Sequence, residues 1–130
     1  MPTTQTLQDQ TRIRTYRPQG TCTLVEAVDL ISAAIAYCRA EGATLLLVDV
    51  TGLDGVPIPT LVDRFLMVEE WAQRAEGTLA VAMVAPGAFI HPEKFGVQVA
   101  THFGLVCDVY PSEEAALKWL SAQVGPRQID

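Results

Sequence analysis

The chain is short of positive charge. Nine lysines and arginines stand against fifteen aspartates and glutamates, a formal charge of -6. That balance excludes a general affinity for DNA, RNA or an anionic membrane surface, all of which attract basic patches. Histidine is scarcer still. His91 and His102 are the only two, and eleven residues, about three helical turns, separate them too widely for a compact metal site. The three cysteines, Cys22, Cys38 and Cys107, form no CxxC pair, so neither a zinc knuckle nor a dithiol redox motif is written. Their odd number, with no recognisable secretory leader, leads us to expect a reducing, cytoplasmic setting. No apolar run approaches the roughly 20 residues that span a bilayer, and no integral membrane association is expected. The phosphate-binding patterns GxxxxGK[ST] and GxGxxG are also missing, and no cofactor is implied.

What is present is apolar substance: 49% of 130 residues, enough for one domain with a full core. The polar opening, MPTTQTLQDQ, reads as a flexible lead-in over 1–11, followed by a domain over 12–124 and a tail over 125–130. RIRTYRPQG alternates arginines with β-branched and aromatic residues, as a half-exposed strand does, and ends at Pro18 and Gly20. Thr23 and Glu26 have the spacing of a capping box and open a helix with Leu24, Val28, Ile31, Ile35 and Cys38 on one face. Cys38 is then a small core residue. ATLLLVDV and TLAVAMV are unbroken apolar runs of strand length, the pattern of strands covered on both faces. Between them Thr60 and Asp63 repeat the capping-box spacing. The helix they open puts Leu61, Phe65, Val68, Ala72 and Ala75 inward and pairs Glu70 with Arg74. A third helix is expected from about Pro92, with Phe95, Val99 and Phe103 inward and Gly104 at its end. LVCDVY is a last strand, and Ser112 caps a last helix with Glu113 and Glu114 in its first turn. Trp71 and Trp119 read as packing residues. This alternation predicts a single-domain α/β sandwich: a four-stranded, mostly parallel sheet with four helices.

In such sheets ligands bind beyond the carboxyl ends of the strands. Three segments qualify: the loop after Asp49, the stretch APGAFIHPEKFG, and the turn YPSEE. Asp49 lacks the companion acids a metal or phosphoacceptor site needs, so it reads as an acceptor for its own loop, with Gly52 and Gly55 as turn glycines. Cys107, His102 and Asp108 suggest a nucleophile set, but adjacent strand residues point to opposite faces, which removes it. His91 precedes Pro92 at a helix start and reads as a solvated cap or a ligand contact, and Phe89 as an exposed apolar contact.

The segments GTCTLVEAVDLISAAIAYCRAEGATLLLVDVTGL and FGVQVATHFGLVCDVYPSEEAALKWL together resemble the SpoIIAA-like branch of the STAS domains, whose α/β architecture is related to the CRAL-TRIO lipid-binding fold. The resemblance covers about 12–120 and implies strand order 2-1-3-4, with the first strand central, although the three arginines of RIRTYRP read as an edge. In the phosphorylated antagonists of that family a comparable strand leads to an Asp-Ser-Ser-Gly turn whose serine is modified. Here that turn falls on Val56, Pro57, Ile58 and Pro59, and Thr60 is the nearest hydroxyl.

Two functions follow as expectations. The first is a non-enzymatic regulatory or interaction domain that binds a protein partner or a small apolar ligand through Asp54, Val56, Ile58, Thr60, Phe89, His91 and Lys94, with a homodimer possible. The alternative is a small enzyme acting on a carbonyl or phosphate compound, with His91 as acid or base and Lys94 as charge stabiliser.

Overall fold

A computed structural model of the chain describes residues 12–129, with side chains through Gln123; the expected lead-in over 1–11 lies outside the described residues. In chain order the elements are β1 (Arg14–Tyr16), β2 (Gly20–Thr21), α1 (Leu24–Ala40), β3 (Leu45–Asp49), β4 (Leu53–Asp54), α2 (Leu61–Ala75), β5 (Ala80–Val84), a 3-10 turn (Gly87–Phe89), α3 (Phe95–His102), β6 (Val106–Tyr110) and α4 (Glu113–Ile129). β1, β3, β5 and β6 form a four-stranded sheet, every pair parallel. The α/β class, the parallel sheet and the four helices are those the sequence predicts.

The strand order differs from the one the family resemblance implies. The sheet runs β1-β3-β5-β6, so the first of its strands is at the edge and not between the next two. The physical reason is visible in RIRTYRP: a three-residue strand bearing Arg14 is unsuited to a position flanked and covered on all sides, whereas LLLVD and AVAMV fill the two central places.

An order that follows the chain fixes where the helices go. Each crossover steps to the next strand in the same direction, so crossovers of one hand place α1, α2 and α3 on one face. Ile31, Ile35 and Cys38 of α1, Val68, Trp71 and Ala75 of α2, and Val99 and Ala100 of α3 pack there against Leu46, Val48 and Val81. The opposite face, formed by Leu45, Leu47, Ala80, Ala82 and Val84, is covered by α4 through Ala116 and Leu120.

Both capping boxes form. The Thr23 hydroxyl accepts from the Glu26 amide and the Glu26 carboxylate from the Thr23 amide, and Thr60 and Asp63 do the same at α2. α2 is rotated from its expected orientation. Arg64, Val68, Trp71 and Ala75 are its buried stripe, while Leu61 and Phe65 are exposed along with Val62 and Leu66. Trp71 fixes that rotation, since it is 3% exposed and donates Nε1 to the Val28 carbonyl at 3.3 Å. Glu70 does not pair with Arg74; its carboxylate accepts from the Ser32 hydroxyl of α1 at 2.6 Å. α3 starts at Phe95, three residues later than expected, because Lys94 adopts a left-handed conformation (φ 52°) that no helical turn accommodates. α4 continues beyond Gln123 to Ile129, into the stretch read as a tail. Among the described residues no helix is long and apolar enough to cross a membrane.

The core is expected to be intolerant at β3 and tolerant on the outer side of α2. Leu47→Ala, at a side chain with no exposure, should lower unfolding free energy by about 2–5 kcal/mol in urea denaturation. Val62→Ala, at 66% exposure, should change it by less than about 0.5 kcal/mol.

Candidate functional site

Helices α1, α2 and α3 each begin beyond the carboxyl end of a strand, so their first turns converge above the sheet on the three-helix face. They surround a cavity of about 140 Å³. From α1 come Leu24, Ala27, Val28 and Ile31; from α2 come Arg64, Met67, Val68 and Trp71. Gly96 and Val97 of α3 face them, and Met83, Cys107 and Val109 rise from the strands below.

The loops make the roof. After β3 the chain turns at Thr51, whose amide and hydroxyl both donate to Asp49 Oδ1, at 2.9 and 2.6 Å. Asp49 is therefore the loop acceptor the sequence suggested. The chain then pairs as β4 with β2, a short parallel ladder of Gly20 with Leu53 and Thr21 with Asp54 that sequence reasoning missed. Two-residue strands leave no alternation to detect. That ladder brings Leu53, Val56 and Pro59 over the cavity. The segment after β5 contributes Ala85, Pro86, Phe89, His91 and Lys94.

Of the seven residues expected to bind, Val56, Phe89, His91 and Lys94 line this cavity and Asp54, Ile58 and Thr60 do not. Phe89 is half-buried, not an exposed contact. Ile58 is 55% exposed and shortly precedes α2, on which Leu61, Val62 and Leu66 are exposed too. Thr60 is committed to its capping box, and Asp54 is an exposed member of β4. His91 accepts the Glu93 amide at Nδ1 (3.1 Å) and its ring lies beside Phe95; it precedes α3, so the two histidines are not the two ends of one helix.

Lys94 is not a free cation. Its ammonium is 2.7 Å from Asp108 Oδ1 and lies 4.6 Å from the centre of the Tyr110 ring, while the Tyr110 hydroxyl donates to Asp108 Oδ2 at 2.9 Å. Burial alone would raise the Asp108 pKa, but hydrogen bonds from Lys94, the Val109 amide and Tyr110 outweigh it and hold the carboxyl below its ordinary value. Tyr110 is pushed up to about 12, by burial first and by Asp108 second. Cys107 packs on the three-helix side, opposite to Asp108 as strand alternation requires. Burial, with the Asp108 charge, pushes its thiol up to about 12, so it is a poor nucleophile at neutral pH.

The residue that sequence reasoning missed is Arg64. It is 8% exposed, lines the cavity, and donates Nη1 to the Phe89 carbonyl at 2.9 Å. Its signal was positional: Arg64 stands four, seven and eleven residues before Val68, Trp71 and Ala75, in phase with the buried stripe. Among the described residues no group of three or more His, Cys, Asp or Glu is placed to hold a metal ion.

On the opposite face of the sheet, Arg17 at the end of β1 grips Glu113 in the first turn of α4 through two bonds, Nε to Oε2 at 2.7 Å and Nη2 to Oε1 at 2.8 Å. The Arg17 bonds chiefly lower the Glu113 pKa to about 2. A carboxyl lowered on folding contributes stability above its unfolded value, near 4.5, and loses it as pH falls toward 2. Glu113→Gln should therefore lower the melting temperature modestly above pH 5, the pair being largely exposed, and the gap from the parent should close as pH approaches 2. Compared with protein-family models, curated proteins and solved structures, the chain matches none.

Proposed function

We propose that the protein is a non-enzymatic binding domain that takes a small apolar ligand into the cavity above the carboxyl ends of its strands. The observation that carries this reading is the cavity itself: about 140 Å³, walled mainly by aliphatic and aromatic side chains, with Arg64, His91 and Lys94 among them, at the place where open α/β sheets bind ligands. An apolar cavity of about 150 Å³ accepts one benzene-sized molecule. The resemblance to the SpoIIAA-like STAS domains agrees with a regulatory binding role, but the strand order is not shared, so the cavity and not the resemblance supports the reading. The unpaired cysteines agree with a cytoplasmic setting. Chemistry on a carbonyl or phosphate compound would need Lys94 to meet a developing charge, and its ammonium is held by Asp108.

A protein contact is a second reading, favoured by the outer side of α2. Leu61, Val62 and Leu66 on its first two turns, and Ile58 just before them in the chain, are each more than half exposed, apolar surface of the kind that pairs with a partner or a second copy.

Native mass spectrometry of freshly purified protein, with melting curves in saturating benzene or toluene, tests both. A co-purifying small mass, or a rise in melting temperature with the hydrocarbons, is the expected result for the cavity, and a dimer mass for the α2 surface. Gly96 offers a control. A Cβ added there would meet Val68 Cγ2 at 3.8 Å, an ordinary contact, so Gly96→Leu should fold, fill the cavity and abolish the hydrocarbon response. No adduct and no hydrocarbon response in the parent protein would refute the ligand reading.

A further inference from the structure

Arg64 is the one buried charged residue among the described residues. Among the described residues no carboxylate is in ion-pair range of its guanidinium, whose hydrogen bond goes to a neutral carbonyl, that of Phe89. Asp63, the adjacent acid, is committed to the Thr60 amide, and Asp108 is committed to Lys94 and Tyr110. An arginine cannot relieve burial by losing its proton, as a lysine can, and a buried charge is ordinarily paired. Among the described residues no buried side-chain nitrogen or oxygen is left without a partner, so the remaining guanidinium donors reach accessible space, and Arg64 lines the cavity. Among the described residues the cavity wall contains no aspartate or glutamate. The first turns of α1, α2 and α3 surround it, and helix starts carry partial positive charge. An apolar chamber in a chain of net charge -6 thus presents a single unneutralised cation inward.

We infer that the cavity ligand is a small monocarboxylate with a compact apolar body, its carboxylate paired with Arg64 and its hydrocarbon among Val28, Met67, Val68 and Trp71. This rests on the ligand reading above and adds the chemical class of its head group. The guanidinium fork matches a carboxylate in two parallel hydrogen bonds. The apolar walls exclude a larger polar body, and the volume limits the ligand to a single ring or a short branched chain.

Matched acid and amide pairs test it: benzoate with benzamide, and isobutyrate with isobutyramide, titrated calorimetrically into the full chain. Each acid should bind at least about tenfold more tightly than its amide. Arg64→Gln should bring the acids to the level of the amides and leave the amides within about twofold. Arg64→Lys, which keeps the charge but not the fork, should give an intermediate acid affinity and serves if the glutamine variant does not fold. Acids and amides binding the parent protein equally would overturn the carboxylate assignment and leave the apolar-ligand reading standing. Neither acids nor amides binding, together with no response to benzene or toluene, would overturn both.

Discussion

Because each strand of the main sheet pairs with the strand before it in the chain, the crossovers all turn the same way, and α1, α2 and α3 must share a face. Most of the molecule follows from that. Three helices crowd one side and a single helix serves the other. The sheet is adapted to the imbalance: Ala80 and Ala82 turn small side chains toward α4, while Val81 and Met83 face the crowded side. Small residues let α4 sit close over β3 and β5, and the Arg17–Glu113 fork ties its first turn to the exposed edge strand.

The cavity is a consequence of the same geometry. Three helix starts surround the space above the strand ends without filling it, and the segments that close the gap contain Pro57, Pro59, Pro86 and Pro92, which stiffen a loop. Where the helices could have supplied bulk they supply Ala27 and Gly96. Unfilled space forfeits dispersion contacts, a cost that the rest of the core avoids by close packing. Strain gathers at the same place. Lys94, with positive φ, costs on the order of 1 kcal/mol in backbone terms and is held by the Asp108 and Tyr110 contacts at its other end. A packing deficit, a strained backbone and an unpaired buried charge coincide within one small volume, and each is a local departure from what stability alone would select.

Much of this fold was legible because its signals are local. A capping box is complete within four residues, and Thr23, Glu26, Thr60 and Asp63 made theirs as written. LLLVD and AVAMV announce burial on both faces without reference to anything else in the chain. Strand order is different in kind, since it depends on which strands meet; the arginines of the first strand indicated an edge more reliably than the family resemblance indicated a centre. The rotation of α2 was hidden by chemistry. Arg64 stands in phase with Val68 and Trp71, but a charge carries no apolar signal, and the apolar Leu61 and Phe65 point the pattern to another face; Trp71 bonding to Val28 decides the face. Four of the seven expected site residues reached the cavity because loop position at the strand ends is readable. Eight further wall residues come from α1 and α2, whose contributions depend on packing across more than thirty residues of sequence.

The charge distribution also narrows what the cavity can accept. A body of net charge -6 repels anions at long range, and that repulsion grows with the charge of the approaching ligand. At physiological ionic strength it is largely screened beyond about 8 Å, so the encounter is only slowed, while the field inside the low-dielectric chamber is set by Arg64 and the three helix starts. One guanidinium balances one negative charge. A phosphate or dicarboxylate would bring a second charge into walls made mainly of valine, methionine and tryptophan, where the other lining cation, Lys94, is already held by Asp108, at the penalty that burying an unmatched ion carries. A neutral hydrocarbon would fill the volume but leave Arg64 unpaired. The ligand that resolves both deficits, the missing packing and the missing counter-charge, has one negative charge at one end and an apolar body at the other.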